Sequence, residues 1–114
     1  MTRVVINKCF GGFSLSNAAV QRYGELAGLN LVSKDKGYFN HWYIDSVDDE
    51  KYFSMYNIAR DDPILIQVVE ELGEASWGGA AELKVIEIPD GALRYQILEY
   101  DGWESIVYGD FNII

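Results

Sequence analysis

The sequence contains one cysteine, Cys9, and one histidine, His41. A single cysteine forms no intramolecular disulfide, and these two side chains cannot build the usual four-ligand structural zinc site. No apolar run approaches the ~20 residues of a membrane span, and the run at 4–6 is too short for the core of a signal peptide. We therefore expect a cytoplasmic protein that begins near Met1 and carries neither a metal nor a cofactor.

Positive charge is also scarce, because 9 Lys and Arg stand against 18 Asp and Glu, for a formal net charge of −9. Residues 1–57 hold 6 cationic and 6 anionic residues, whereas residues 58–114 hold 3 and 12. Binding to phosphate backbones needs a cationic surface. The composition therefore disfavours direct binding to nucleic acid or to an anionic membrane, and favours a solvated acidic surface or a basic partner in the second half.

The 114 residues are 49% hydrophobic and 14% aromatic. A chain of this length buries roughly two-thirds of the surface that it exposes when unfolded, which is enough for one core. We predict a single domain over residues 1–114. Runs of β-branched and aromatic residues predict strands at 3–8, 37–45, 51–58, 81–88, 93–100 and 103–108.

Two helices are predicted from capping residues and apolar periodicity. The first begins at a cap formed by Ser16 or Ser14 and ends at Gly28, with apolar residues at three- and four-residue spacing between them. The second begins at the cap Asp62 with Pro63 in the first helical position, and a glycine follows its last apolar residue.

The element order β-α-β-β-α-β-β-β predicts an α+β domain with both helices on one face. Short turns at Pro89-Asp90-Gly91 and at Asp101-Gly102 separate the last three strands. Strands joined by such turns pair as neighbours. We therefore predict a C-terminal antiparallel meander formed by residues 81–88, 93–100 and 103–108.

Residues 9–16 (CFGGFSLS) join the first strand to the first helix and are the most site-like segment. Backbone N–H groups at such a joint can hold a phosphate or a carboxylate, although neither a dinucleotide fingerprint nor a P-loop lysine is present. The alternative is a tight turn that buries Phe10 and Phe13. The candidate ligand-binding residues are Cys9, Gly11, Gly12, Ser14, Ser16 and His41.

Catalysis at this turn would need Cys9 as a nucleophile and His41 as its base, since His41 is the only histidine. An inert, buried cysteine is the alternative, and we assign no catalytic residue. His41 alternates with Phe39 and Tyr43, so it lies either in the core or on an aromatic platform. The acidic residues at 45–50 lack the spacing of a calcium loop, so no metal site is predicted.

Three segments of the chain form a recognisable set: VVINKCFGGFSLS at 4–16, RDDP with VVEELG at 60–73, and AELKVIEIPD at 81–90. They resemble a family of small proteins encoded by bacteriophages and prophages. That family has no established activity, so the resemblance transfers no catalytic residues. It implies a phage accessory protein made in the cytoplasm of a bacterial host.

The first functional hypothesis is a non-enzymatic protein that binds a host protein, such as a host-defence enzyme whose basic groove accepts an acidic surface, or a small ligand. The alternatives are a small-molecule-binding protein or enzyme that uses residues 9–16, and a structural component of the virion. Apolar residues at 111–114 and an edge strand at 103–108 favour a homodimer.

Overall fold

The computed structural model describes residues 2–35, 40–89 and 94–109, together with the backbone of residues 112–113. It confirms the α+β class, with two helices and antiparallel strands. The helices are α1 (Asn17–Ala27) and α2 (Pro63–Leu72), and the strands are β1 (Thr2–Asn7), β2 (Leu31–Asp35), β3 (Asn40–Ile44), β4 (Tyr52–Phe53), β5 (Leu83–Ile88), β6 (Tyr95–Tyr100), β7 (Trp103–Tyr108) and β8 (Asn112–Ile113).

A two-stranded ribbon of β1 and β5 lies at the centre of the fold, with Val5 opposite Val85. One face of the ribbon packs against the core that α1 and α2 share, and the other face packs against Ile106 of β7. Both faces are therefore buried. This pairing corrects the predicted meander, because β5 pairs with β1 rather than with the strand that follows it.

The two helices pack on each other and contribute to one core with the ribbon, as predicted. The Ser16 side chain caps α1 by accepting from Ala19 N at 3.1 Å. The Asp62 side chain caps α2 by accepting from Ile64 N at 2.8 Å, and it also accepts from the Tyr23 hydroxyl at 2.8 Å. The capping residue of one helix therefore anchors the other.

A second sheet has the order β2-β3-β4 and differs from the prediction in two places. The strand β2 was not predicted, and the strand predicted at 51–58 is wrong beyond the two residues of β4. Short 3₁₀ helices at Asp49–Lys51 and Met55–Asn57 replace it, because the Asp48 and Ser54 side chains accept backbone N–H groups at their starts. Of the strand predicted at 37–45, residues 37–39 lie outside the described residues.

The third sheet has the order β6-β7-β8 and is the C-terminal meander of the structure. Asp101 and Gly102 connect β6 to β7 with φ of 49° and 88°, the two positive angles that a type I′ hairpin turn requires. Among the described residues, β8 pairs with β7 only at Val107 and Tyr108, so the predicted edge at 103–108 is wrong for those two residues, and β6 pairs on one side alone. The turn predicted at Pro89-Asp90-Gly91 lies largely outside the described residues.

Candidate functional site

The glycine-containing turn after β1 packs against the β6–β7 turn. A Cβ atom on Gly102 would lie 2.7 Å from both Gly12 N and Phe10 O, and a Cβ atom on Gly11 would collide with Ala80 O. Only glycine permits backbones to approach this closely. The glycines therefore allow the two turns to pack closely, and this packing places Phe10 beside the hairpin. Close packing explains these glycines without a bound ligand.

Asn7 joins the same segments from inside the protein and is fully buried. Its Nδ2 donates to Cys9 O and to Gly102 O, each at 2.8 Å, and its Oδ1 accepts from Glu82 N at 2.8 Å. A buried amide that satisfies three backbone groups is costly to replace. Asn7 therefore holds both turns in register with the central ribbon.

A buried ion pair lies next to Asn7. The Arg60 guanidinium donates to both carboxylate oxygens of Glu104, at 2.6 and 2.8 Å, and Glu104 Oε1 also accepts from Asn7 N at 2.7 Å. The guanidinium lies 3.6 Å from the centre of the Phe13 ring. The pair links β7 to β1 and to the segment before α2, and no local sequence pattern predicts it, because its members are 44 residues apart.

Four large apolar side chains lie together on the surface beside these turns. We call this set the apolar patch: Phe10 is 61% exposed, Leu98 44%, Tyr100 78% and Trp103 38%. The Phe10 and Trp103 rings are 5.1 Å apart between centroids. With Glu99 and Ser105, the patch lines an open groove of about 850 Å³. Exposed apolar surface of this kind marks binding sites more often than chance placement does.

Strand alternation explains why the patch faces outward. In β6 and β7, Leu98 pairs with Ser105 and Tyr100 pairs with Trp103, so these four share the outer face of the hairpin. Their neighbours Ile97 and Ile106 pair on the inner face and pack against the ribbon. No local sequence pattern predicts the patch, because Phe10 reaches it from a turn some ninety residues away.

The predicted ligand-binding residues have structural partners. The Cys9 thiol donates to Ala80 O at 2.8 Å, and the Ser16 hydroxyl donates to Ala75 O at 2.6 Å while it caps α1. Ser14 O accepts from Gly78 N at 3.1 Å. Phe13 is buried as the tight-turn interpretation required, but that interpretation is wrong for Phe10. These contacts give the turn a packing role, and ligand binding there stays a prediction.

His41 lies elsewhere in the fold from the glycine turn. It belongs to β3, where its ring is 5.5 Å from that of Tyr52, and Tyr43 two residues further on is buried. Cys9 lies between Asn7 and Ala80 instead. The structure therefore places His41 in the second sheet and Cys9 in the turn after β1, where its thiol bonds to Asn7 and Ala80.

Within residues 2–35, 40–89 and 94–109, no group of three or more His, Cys, Asp or Glu side chains is arranged to hold a metal ion. None of the helices there has the length and apolar character needed to cross a membrane. Comparison of the chain with protein-family models, with curated proteins and with solved structures finds no match. The resemblance to phage proteins therefore stays a prediction.

Proposed function

We propose that this protein is a phage-encoded accessory factor that acts in the bacterial cytoplasm by binding a host protein, without catalysis, through the apolar patch. The observation that carries the proposal is the exposure of Phe10, Leu98, Tyr100 and Trp103 on one surface. Aromatic side chains of this kind contribute most of the affinity at protein interfaces.

The rigidity of the patch supports the proposal. Phe10 lies in a turn whose backbone contacts Gly102 closely, and Trp103 follows Gly102 directly in the chain. The buried amide of Asn7 bonds to a carbonyl on each side of this junction. A surface that is already ordered loses little conformational entropy on binding, so more of the contact energy remains as affinity.

Charge supports a partner of a particular kind. Among the described residues, Glu99 is the one charged residue that lines the groove, and the exposed Asp101 lies at the tip of the hairpin. An apolar surface rimmed by carboxylates fits a partner that surrounds an apolar anchor with Lys or Arg. The net charge of −9 strengthens the attraction to such a partner at a distance.

The test is capture of partners from lysate of a bacterial host by the immobilised protein, with quantification of each captured protein. Wild type is compared with Phe10→Ser/Tyr100→Ser, which empties the patch, and with the control Val47→Ser/Tyr56→Ser, which removes two large exposed side chains elsewhere. We expect the patch variant to lose the specific partner by about thirtyfold, the effect of losing a hot spot, and the control to retain it.

A captured partner that binds the patch variant as well as wild type contradicts the proposal, as does the absence of any partner that wild type enriches over the patch variant. Circular dichroism of each variant confirms that the fold is intact. The affinity of the captured partner for the wild-type protein, measured in low and in high salt, then reports the contribution of the Glu99 and Asp101 carboxylates.

Small-ligand binding is a second candidate function, and the size of the groove favours it. Its volume of about 850 Å³ lies within the ~300–1,000 Å³ range of ligand pockets, and its lining is largely apolar. Native mass spectrometry of the protein purified from its host distinguishes the two functions. A retained metabolite that the Phe10→Ser/Tyr100→Ser variant lacks supports ligand binding.

A further inference from the structure

The strand β6 has an unpaired edge. Among the described residues it pairs with β7 alone, whereas β7 pairs with β6 on one side and β8 on the other. An unpaired edge presents backbone N–H and C=O groups to another strand. This edge is a feature distinct from the apolar patch, which occupies the face of the same sheet.

The hairpin register identifies the backbone groups that face outward. Because a two-residue turn joins β6 to β7, the flanking residues Tyr100 and Trp103 form the hydrogen-bonded pair nearest the turn. Along β6 the direction of the backbone groups alternates, so Leu98 and Gln96 also bond to β7. The N–H and C=O groups of Ile97 and Glu99 point away from β7 into the open edge.

Nothing in the composition of β6 blocks pairing. Natural edge strands are commonly protected by lysine, by proline or by a bulge. The sequence of β6, YQILEY, contains neither lysine nor proline, and its six residues pair with β7 without a bulge. Its only charged residue is Glu99. The strand therefore retains a regular hydrogen-bonding edge over its whole length.

We propose that β6 pairs antiparallel with β6 of a second copy of this chain, about a two-fold axis at Ile97, to give one continuous sheet. In this register Ile97 lies opposite itself and Tyr95 lies opposite Glu99, so the residues that exchange hydrogen bonds across the seam are those whose backbone groups point outward. Each copy supplies the backbone N–H and C=O groups that the β6 strand of the other copy needs, so the interface closes as a dimer.

The placement of charge favours this register between two acidic chains. The two Glu99 residues are four positions apart along the paired strands, about 13 Å at ~3.3 Å per residue. This exceeds the Debye length of about 8 Å at physiological ionic strength. Each Glu99 instead faces Tyr95, whose side chain bonds to Asp61, so the two Glu99 carboxylates do not face each other across the seam.

The dimer leaves the proposed binding surface open. Leu98 and Tyr100 point from the outer face of the sheet, not from its edge, so pairing through β6 leaves these side chains accessible, while the backbone of Glu99, which also lines the groove, lies in the seam. It brings the two apolar patches onto one face of a continuous sheet. The dimer is inferred from the edge alone and does not depend on the proposed function.

Sedimentation equilibrium over a concentration series, combined with amide hydrogen exchange, tests the proposal. We expect a concentration-dependent species of twice the 12.9 kDa mass of one chain. Exchange at the Ile97 and Glu99 amides should slow by at least about tenfold as the dimer forms, whereas Gln96 and Leu98 are already protected by β7.

A matched pair of variants isolates the edge. Glu99→Pro removes an outward N–H that β7 does not use, so the folded variant should remain monomeric. Glu99→Gln retains the N–H and a side-chain acceptor for Gly102 N, and it should dimerise like wild type. A single 12.9 kDa species at every concentration overturns the proposal, as does a dimer in which Ile97 and Glu99 exchange as fast as in the monomer.

Discussion

The two faces of the β6–β7 hairpin carry neighbouring residues with opposite environments. On the inner face Ile106 is fully buried and Glu104 is 6% exposed, whereas Tyr100 on the outer face is 78% exposed. The inner residues pack against the ribbon or bond to Arg60 and Asn7, and the outer ones line an open groove. The inner face of these two strands therefore stabilises the fold, and the outer face is the candidate binding surface.

The comparison predicts that substitutions on the two faces affect different measurements. Removing an inner-face partner leaves buried polar groups or a buried charge without compensation, so the free energy of unfolding falls. Truncating an outer-face side chain removes surface that water already contacts, and such changes usually stay within about 0.5 kcal/mol. Partner binding should show the reverse order, with larger losses for outer-face than for inner-face substitutions.

The largest effect on stability is expected for Glu104→Gln. The substitution removes the charge that Arg60 needs in a site where both side chains are largely buried, and breaking such a pair costs about 3–5 kcal/mol. Urea unfolding measures it. The control is Glu71→Gln, which removes the exposed partner of Arg22 and should cost less than about 1 kcal/mol. Equal losses in the two variants would contradict the claim that burial makes the inner-face ion pair more important to stability than an exposed one.

A smaller loss of stability is expected at the junction of the two turns, where Gly102 packs against Gly12 and Phe10. Gly12→Ala adds a Cβ in open space at a φ of 84° and should cost about 1 kcal/mol of backbone strain. Gly102→Ala adds a similar strain and a collision with Gly12 and Phe10, so it should cost about 1–3 kcal/mol more.

Partner binding should follow the same order, because only Gly102→Ala displaces Phe10 from Trp103. Thermal unfolding and the partner-capture assay report the two quantities in the same pair of variants. If Gly12→Ala is as damaging as Gly102→Ala in both assays, then close packing of the turns does not position the patch.

The smallest effect on partner binding is expected for a change in the helices, which lie outside the hairpin. Burial, with the hydrogen bond to Asp62 and its charge, raises the pKa of Tyr23 to about 12 from 10.0. The folded state therefore favours the protonated phenol, and this stabilisation is complete below pH 10 and is lost as the pH rises toward 12.

Urea unfolding of wild type and Tyr23→Phe from pH 8 to 12 measures this contribution. The stability difference between the two proteins should shrink above pH 10, since only wild type carries the group. Partner binding at neutral pH should be unchanged. A stability difference that stays constant with pH would show that the Tyr23 hydroxyl does not titrate later in the folded state.

Local features of the chain were sufficient to predict both helices, with their caps at Ser16 and Asp62, and the turn at Asp101 and Gly102. Each depends on residues within a few positions of one another. The pairing of β1 with β5 was not predictable in this way, because it joins residues about eighty positions apart. The exposed strand β2 was missed because only its first two residues are apolar.

The candidate site shows the same limit. Residues 9–16 were predicted as the most site-like segment, and the structure places Phe10 and Gly12 of that segment against the hairpin turn. The ion pair of Arg60 with Glu104 and the contact of Phe10 with Trp103 are both long-range, and neither has a spacing motif. Alternation along β6 and β7 gives the hairpin two distinct faces, but the residues alone do not indicate which face the ribbon covers.

Hydroxyl-radical footprinting of the protein with its captured partner tests the central claim most directly. If the outer face of the hairpin is the binding surface, Phe10, Tyr100 and Trp103 become protected in the complex. Tyr56, which is 68% exposed and lies outside the patch, keeps its reactivity. Protection of Tyr56 with unchanged reactivity at Phe10, Tyr100 and Trp103 would contradict the account.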